Sequence, residues 1–225
     1  MSFTLPLKPA CVQKGLSRTR LLRNLAGTNE VDKKYTAGIK NNNMNFETCF
    51  TTDLLKRLLY YKQLGDKTFS QLKEEDYFYK PSPESNSIAV IVQHIAGNML
   101  SRFTNFLTED GEKPWRNRDD EFEDVLKTAV DVRTRWEEGW HCVVQTIESL
   151  QPADLMKTIY IRTEALTVYD ALLRQLAHYP YHTGQIVFIG KIIKDHAWQS
   201  LSIPKKQSNN FNQQMGMKCI TNQQE

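Results

Sequence analysis

Apolar residues recur at helical spacing in four long stretches of the chain, and turn-forming residues separate these stretches. The stretches cover approximately residues 50–73, 87–108, 120–150 and 167–194. Each is long enough for several helical turns with one apolar side. The pattern predicts an all-α protein in which four helices pack into a single bundle.

Capping residues predict where these helices begin. Ser87 precedes the second stretch as an N-cap, and Thr167 with Asp170 matches a capping box before the fourth. The third helix is expected to begin near the acidic run 119–123, because acidic side chains stabilise the positive end of a helix dipole. Its buried stripe is expected to hold Phe122, Leu126, Ala129, Trp136, Trp140, Val143 and Ile147.

The segments between the predicted helices are longer than a simple bundle needs. They run to about 10 to 16 residues, against about 2 to 8 between neighbouring helices. At least one long crossover connection is therefore expected. Before the last helix, Ile159 and Ile161 alternate with Tyr160 and Arg162, which is typical of a short β-hairpin.

The chain divides into three predicted regions. Residues 1–43 carry eight basic and two acidic residues and no sustained apolar period, so we expect a disordered or non-native N-terminal extension. A transit peptide and a basic interaction tail are alternatives, but a leader upstream of a natural start at Met44 is favoured. Residues 44–204 are expected to form the bundle, and 205–225 a flexible tail.

Composition and charge narrow the classes of protein. The chain is 40% hydrophobic and 24% charged, as is ordinary for a globular protein. Its net charge of +3 is due to the basic excess of residues 1–43. Residues 44–225 hold 21 basic and 24 acidic residues, and this mildly acidic balance predicts no nucleic-acid partner. The apolar runs are too short to cross a membrane. Four widely spaced cysteines predict no disulfide framework and fit the cytoplasm.

Three histidines are the candidate chemistry of this sequence. His178 and His182 are four residues apart and therefore share a face of the fourth helix, while His94 lies on the inward side of the second. Buried imidazoles need hydrogen bonds or a metal. If the second and fourth helices are neighbours, the three rings form an open metal site of the catalytic kind. A structural bundle with hydrogen-bonded histidines is the alternative.

Further residues are candidates for supporting roles around such a site. Gln185, almost one turn beyond His182, is expected to hydrogen-bond a metal-binding imidazole. Trp115, Arg116 and Arg118 follow a predicted turn and are expected to hold an anionic substrate at the mouth of the pocket. In the alternative interpretation these arginines form ion pairs with the two aspartates that follow Arg118.

The segments around the three histidines resemble the DinB family of four-helix-bundle metalloenzymes, which includes the bacillithiol transferases. The likeness rests on His94 in VQHIAGNM and on His178 and His182 in HYPYHTGQIVFIGK. Weaker similarities lie at 111–124, GEKPWRNRDDEFED, and at 198–204, WQSLSIP. The resemblance covers roughly residues 45–204 and implies a DinB-type bundle with an unusual helix order.

The same resemblance implies a homodimer that binds a divalent metal ion through His94, His178 and His182. Zinc and nickel are the first candidates, with iron and manganese as alternatives. The implied reaction is the transfer of a small thiol, similar to bacillithiol, to an electrophilic substrate, with a metal-activated thiol or water. A metal-dependent hydrolase and a non-catalytic bundle that binds a metal or a partner protein are the alternatives.

Overall fold

Four long helices dominate the computed structural model, which describes residues 45–214. They are α1 (Phe46–Phe69), α2 (Ile88–Phe103), α3 (Ala129–Ser149) and α4 (Val168–Lys194), followed by a short α5 (Ser208–Gln214). Strands β1 (Thr158–Ile161) and β2 (Glu164–Thr167) pair antiparallel directly before α4. The predicted helical bundle and its β-hairpin are confirmed.

The two terminal regions predicted from the sequence lie wholly or partly outside the described residues. The extension predicted for 1–43 lies outside them. The tail predicted for 205–225 is described as far as Gln214, and its helix α5 buries no side chain. Among the described helices, none combines the length and the apolarity that crossing a bilayer requires.

A side-chain cap begins each of the four long helices. Asn45, Ser87, Thr128 and Thr167 each accept a hydrogen bond from the backbone N–H three residues further on, at 3.0 to 3.3 Å. A cap of this kind stabilises a helix by about 1 kcal/mol. The caps at Ser87 and Thr167 are those that the sequence predicts.

The third helix begins later than its acidic run predicts. Thr128 and Asp131 form a capping box, so α3 starts at Ala129. The acidic run forms a separate 3-10 turn, Asp119–Phe122, instead of the first turn of the helix. Phe122, expected in the buried stripe, is 41% exposed, whereas the five stripe residues within α3 are buried. Local capping outweighs the favourable dipole interaction of the acidic residues.

The first two helices end before their predicted limits. Helix α1 stops at Phe69, where the backbone N–H groups of Gln71 and Leu72 turn back to carbonyls three residues earlier. Helix α2 stops at Phe103, because the backbone of Thr104 is extended. The connections are correspondingly longer than the sequence predicts.

The helices are arranged in a crossed order. Helix α2 packs mainly against α3, and α1 mainly against α4, while α2–α4 and α1–α3 are the remaining neighbouring pairs. Helix α1 therefore lies diagonally opposite α2, and α3 lies opposite α4. The connections between these diagonal pairs cross the bundle, as the linker lengths predict. This order makes α2 and α4 neighbours.

Helix α2 is the buried centre of the bundle, with all sixteen of its residues buried. Its buried polar residues are Gln93, His94, Asn98, Ser101 and Arg102. Several of their partners come from the loop that follows: Gln93 Nε2 donates to the Asp120 carbonyl at 2.6 Å, and Ser101 donates to the Gly111 carbonyl. Buried polar groups require such partners. The long loop between α2 and α3 therefore completes the polar side of α2.

Candidate metal centre

Three imidazole rings from two neighbouring helices meet at one point. His94 comes from α2, and His178 and His182 come from consecutive turns of α4. One ring nitrogen of each lies within 4.8 Å of the other two, and the two Nε2 atoms of the α4 pair are 3.1 Å apart. The contact between α2 and α4, which the sequence leaves undecided, brings the third ring to the pair.

The outer nitrogen of His182 is held by Gln185, at the spacing that the sequence singles out. His182 Nδ1 lies 2.8 Å from Gln185 Oε1. Because an amide oxygen only accepts hydrogen bonds, this contact favours the tautomer with the proton on Nδ1. The lone pair of Nε2 then faces the other two rings.

His94 is held in the same way by Glu121, a residue of the acidic run from which the start of α3 is predicted. His94 Nδ1 lies 3.0 Å from Glu121 Oε2. A carboxylate only accepts, so Nδ1 donates and Nε2 of His94 is left to face the triad. A carboxylate behind a metal-binding imidazole commonly fixes its tautomer and orientation. Glu121 can hold its ring because it belongs to the 3-10 turn beside α2 rather than to α3.

Arg116 clamps the same carboxylate from the other side. Its Nε and Nη2 donate to the two oxygens of Glu121 at 2.7 and 2.9 Å. Burial by itself would raise the pKa of Glu121, but the hydrogen bonds from Arg116 and His94 outweigh burial and lower that pKa. Glu121 is therefore ionised, and Arg116, Glu121 and His94 form one buried chain of charge-assisted hydrogen bonds.

The three residues predicted to hold an anionic substrate lie in different surroundings. The Arg116 side chain is only 2% exposed and pairs with Glu121 instead of Asp119 or Asp120, so the alternative pairing is wrong for Arg116, and its contact with a substrate stays a prediction. Trp115 is 46% exposed. Arg118 is exposed, and its guanidinium carbon lies 5.8 Å from the centre of the Phe122 ring. Burial and a bidentate partner make Arg116 a positioning residue.

The triad is open on one side. The His94 side chain is 9% exposed, whereas His178 and His182 are half-buried. The exposed ring of Phe122 lies 5.0 Å from the His94 ring, between centroids. A ligand can therefore approach from the side of the α4 histidines, while Phe122 shields His94.

Burial keeps the two α4 imidazoles neutral at pH 7. Burial lowers the pKa of His178 from 6.5 to about 4, and the neighbouring His182 and His94 rings add to the effect. The pKa of His182 is also lowered by burial, against the opposing hydrogen bond with Gln185. A metal ligand must be unprotonated. Both rings are thus in the protonation state that metal binding requires.

The family model described as "Protein of unknown function (DUF1572)" matches residues 45–207 of this chain. The chain belongs to the DUF1572 family. Neither a curated protein nor a solved structure matches it. The match to DUF1572 spans all four long helices, the three histidines and their partners Glu121 and Gln185.

A glycine in this DUF1572 chain makes the approach of Glu121 possible. A side chain at Gly97 would overlap the Glu121 carboxylate, so only glycine leaves room for it. Glycine inside a helix costs about 1 kcal/mol relative to alanine, and an internal glycine therefore signals a close approach. Gly97 stands three residues after His94, on the same side of α2. This spacing is the signal in the sequence from which Glu121, or a residue like it, could have been inferred.

Replacing Gly97 by alanine is expected to weaken metal binding to the DUF1572 protein by about tenfold, because Glu121 must move away from His94. Overpacking should also lower the free energy of unfolding by about 1 to 3 kcal/mol. Isothermal titration with Zn²⁺ and thermal unfolding measure the two effects.

Val130→Ala is the control, since Val130 lies in α3 and is 63% exposed. Its metal affinity should equal that of the wild type, and its free energy of unfolding should change by no more than about 0.5 kcal/mol. Equal metal affinity in wild type and Gly97→Ala would show that the position of Glu121 has no effect on the site.

Proposed function

We propose that this DUF1572 protein is a divalent-metal-dependent enzyme, with thiol S-transfer as its reaction. The metal ligands are His94, His178 and His182. The observation that carries the proposal is the convergence of three imidazole nitrogens, with the opposite nitrogens of His94 and His182 already engaged by hydrogen bonds. Such an arrangement has little use in a purely structural core, where hydrogen bonds alone would satisfy the rings.

The donor set fits a divalent transition metal. Two imidazole nitrogens on one tetrahedral ion lie about 3.4 Å apart, given metal–nitrogen distances of about 2.0 to 2.1 Å. The Nε2 atoms of His178 and His182 are 3.1 Å apart, close to this value. Neutral imidazoles suit zinc, nickel and iron, whereas manganese prefers oxygen ligands. Zinc and nickel are the first candidates, and three protein ligands leave coordination positions for a substrate.

A bound divalent ion at this site would lower the pKa of a coordinated thiol or water, which supplies a thiolate or hydroxide near neutral pH. The residues of the chain prepare the site for this. Glu121 and Gln185 fix the imidazole orientations, and Arg116 keeps Glu121 ionised. The ring of Phe122 covers His94 and keeps water from that side.

The choice of thiol transfer over other metal reactions is supported by the resemblance of the histidine segments to the DinB family. Hydrolysis by a metal-activated water uses the same ligands and is the second candidate. A bundle that binds a metal without catalysis is the third. The function requires a small thiol and an electrophile as substrates, and the acidic balance of residues 44–225 favours no nucleic-acid partner.

Metal content and turnover together test the proposal. Protein purified without added metal should contain one divalent metal ion per chain, as measured by inductively coupled plasma mass spectrometry. It should consume monochlorobimane or fosfomycin with at least one of several thiols, and chelator-treated protein should regain this activity when zinc or nickel is added. With monochlorobimane, each turnover forms one carbon–sulfur bond and releases chloride and a proton.

Each alternative result indicates a different function for this protein. Consumption of an electrophile without consumption of thiol indicates a hydrolase. A stoichiometric metal ion without turnover of any substrate indicates a binding protein. Absence of bound metal, even after incubation with zinc or nickel, contradicts the metal site itself.

A further inference from the structure

Helix α4 carries an apolar face that points to solvent. The face consists of Leu173, Ala177, Tyr181, Gly184, Phe188 and Ile192, all of them exposed. Successive members are three or four residues apart, so they fall within an arc about 100° wide and extend over about 28 Å of the helix. In a monomer this side of a surface helix is normally polar.

The exposed area of this α4 face is large for a monomer. Tyr181 and Phe188 are 63% and 64% exposed, Ile192 is 42% and Leu173 is 36% exposed. Each aromatic ring alone leaves on the order of 100 to 150 Å² open to solvent. With its smaller members the face reaches roughly 500 Å², near the upper limit of apolar patches on monomers. Two copies of the face would together bury about 1,000 Å², which is the lower limit for a specific interface.

The α4 face is complementary to itself under a two-fold rotation. An axis that crosses the helix between residues 180 and 181 places Leu173 opposite Phe188 of the partner subunit. The same axis places Ala177 opposite Gly184 of the partner subunit, about one helical turn from the axis on either side, and it places Tyr181 beside its own copy at the crossing point. The two small residues leave room for the Tyr181 rings, and the larger side chains pack further out. An isologous contact requires this kind of self-complementarity.

The charges at the ends of the face obey the same symmetry. Asp170 and Lys191 are both exposed, and the axis places Asp170 opposite Lys191 of the partner subunit at each end. Opposite charges therefore meet twice across the contact. A random partner surface would have to reproduce this order of charge, size and apolarity, whereas a second copy of the chain supplies it directly.

We propose that a second copy of this chain packs against the α4 face, as an antiparallel, two-fold symmetric pair of α4 helices. The likeness to the DinB family implies a dimer but no interface, and the residues of α4 supply the interface. The Tyr181 ring lies 4.9 Å from the His182 ring, so the partner subunit sits beside the open side of the triad. The interface is independent of the metal and of the proposed reaction.

Sedimentation of the full-length protein tests the interface. The wild type should sediment at twice the chain mass of 26.2 kDa at micromolar concentrations. Phe188→Glu and Gly184→Glu should sediment as monomers, with the dimer weakened by at least about 100-fold, because each buries two uncompensated charges in the contact. Gly184→Glu is the more informative variant. Its side chain meets open space in the monomer, so the variant should still fold with the helix content of the wild type, as circular dichroism checks.

Two further variants separate this interface from any other. Val130→Glu introduces the same charge at a 63% exposed valine of α3, outside the α4 face, and should leave the dimer intact. Lys191→Glu should weaken the dimer several-fold by placing like charges opposite Asp170, and Asp170→Lys combined with Lys191→Glu should restore it. The double exchange can restore the dimer only if Asp170 lies opposite Lys191 of the partner subunit, which requires the antiparallel register.

The proposal is overturned by a monomeric wild type, or by Gly184→Glu and Phe188→Glu proteins that remain dimeric. A dimer that both face variants disrupt, but that the double charge exchange fails to restore, contradicts the two-fold register and thus the proposed pairing. Metal content is measured on the same samples. It should be unchanged in Phe188→Glu, so loss of the dimer is distinguishable from loss of the metal site.

Discussion

Replacing His182 by alanine is expected to weaken metal binding by more than about 100-fold and to abolish metal-dependent turnover. Only two ligands, His94 from α2 and His178 from α4, then remain, and removal of a direct ligand costs more than the 10- to 100-fold typical of its supporting residues. His182 is half-buried and at the open side of the site, so the fold should survive its truncation.

Titration with Co²⁺, followed by its visible absorption, measures the affinity, and circular dichroism checks the fold. The matched control is His196→Ala, because His196 lies just beyond α4 and its side chain is 98% exposed. This variant should bind metal as the wild type does. Unchanged affinity in His182→Ala would remove this residue from the ligand set, and the proposed site with it.

The second large effect is expected for Glu121→Gln, which keeps the shape of the side chain and removes its charge. Arg116 would then lose its bidentate partner and keep only the Glu112 carboxylate, 4.0 Å from its Nη1, and breaking a buried pair costs about 3 to 5 kcal/mol. For a domain of this size the melting temperature should fall by about 10 °C. Metal affinity should also fall, by about 10- to 100-fold, because the ring of His94 loses its anionic acceptor.

A double variant separates these two roles of Glu121. Glu121→Gln combined with Arg116→Met removes both charges, and replacing a whole buried ion pair by neutral groups is often without cost. The melting temperature should therefore recover, while the metal affinity should stay low. Recovery of both properties would show that Glu121 acts only on stability and does not position His94.

Much of the helical framework could be predicted from local signals in the sequence. The caps at Ser87 and Thr167 form hydrogen bonds at the predicted positions, and the alternation around Ile159 forms β1. The predicted start of α3 was wrong, because two helix-start signals, the acidic run and the capping box, compete in this part of the sequence. A capping box at Thr128 forms two specific hydrogen bonds, whereas acidic residues near a helix start act only through a weak and screened field.

The candidate metal site also combines features that the local sequence predicts with features that it does not. The spacing of His178, His182 and Gln185 on one helix fixes their mutual geometry, since the positions of side chains three and four residues apart follow from the helical repeat. Glu121 was not found, because its contact with His94 spans 27 residues and a loop without a repeating pattern. Arg116 was assigned to the wrong partner for the same reason, and no local rule places its guanidinium beside Glu121.

The sequence by itself determined the four helices, two of their four caps, the hairpin and the pair of imidazoles on α4, because each depends on interactions within a few residues of the chain. Only the tertiary structure decided that α2 lies next to α4, that Glu121 reaches His94 over Gly97, and that residues 45–214 leave one side of α4 uncovered. These features depend on which surfaces pack together. That choice is made by the burial of the whole apolar core, and no single segment encodes it.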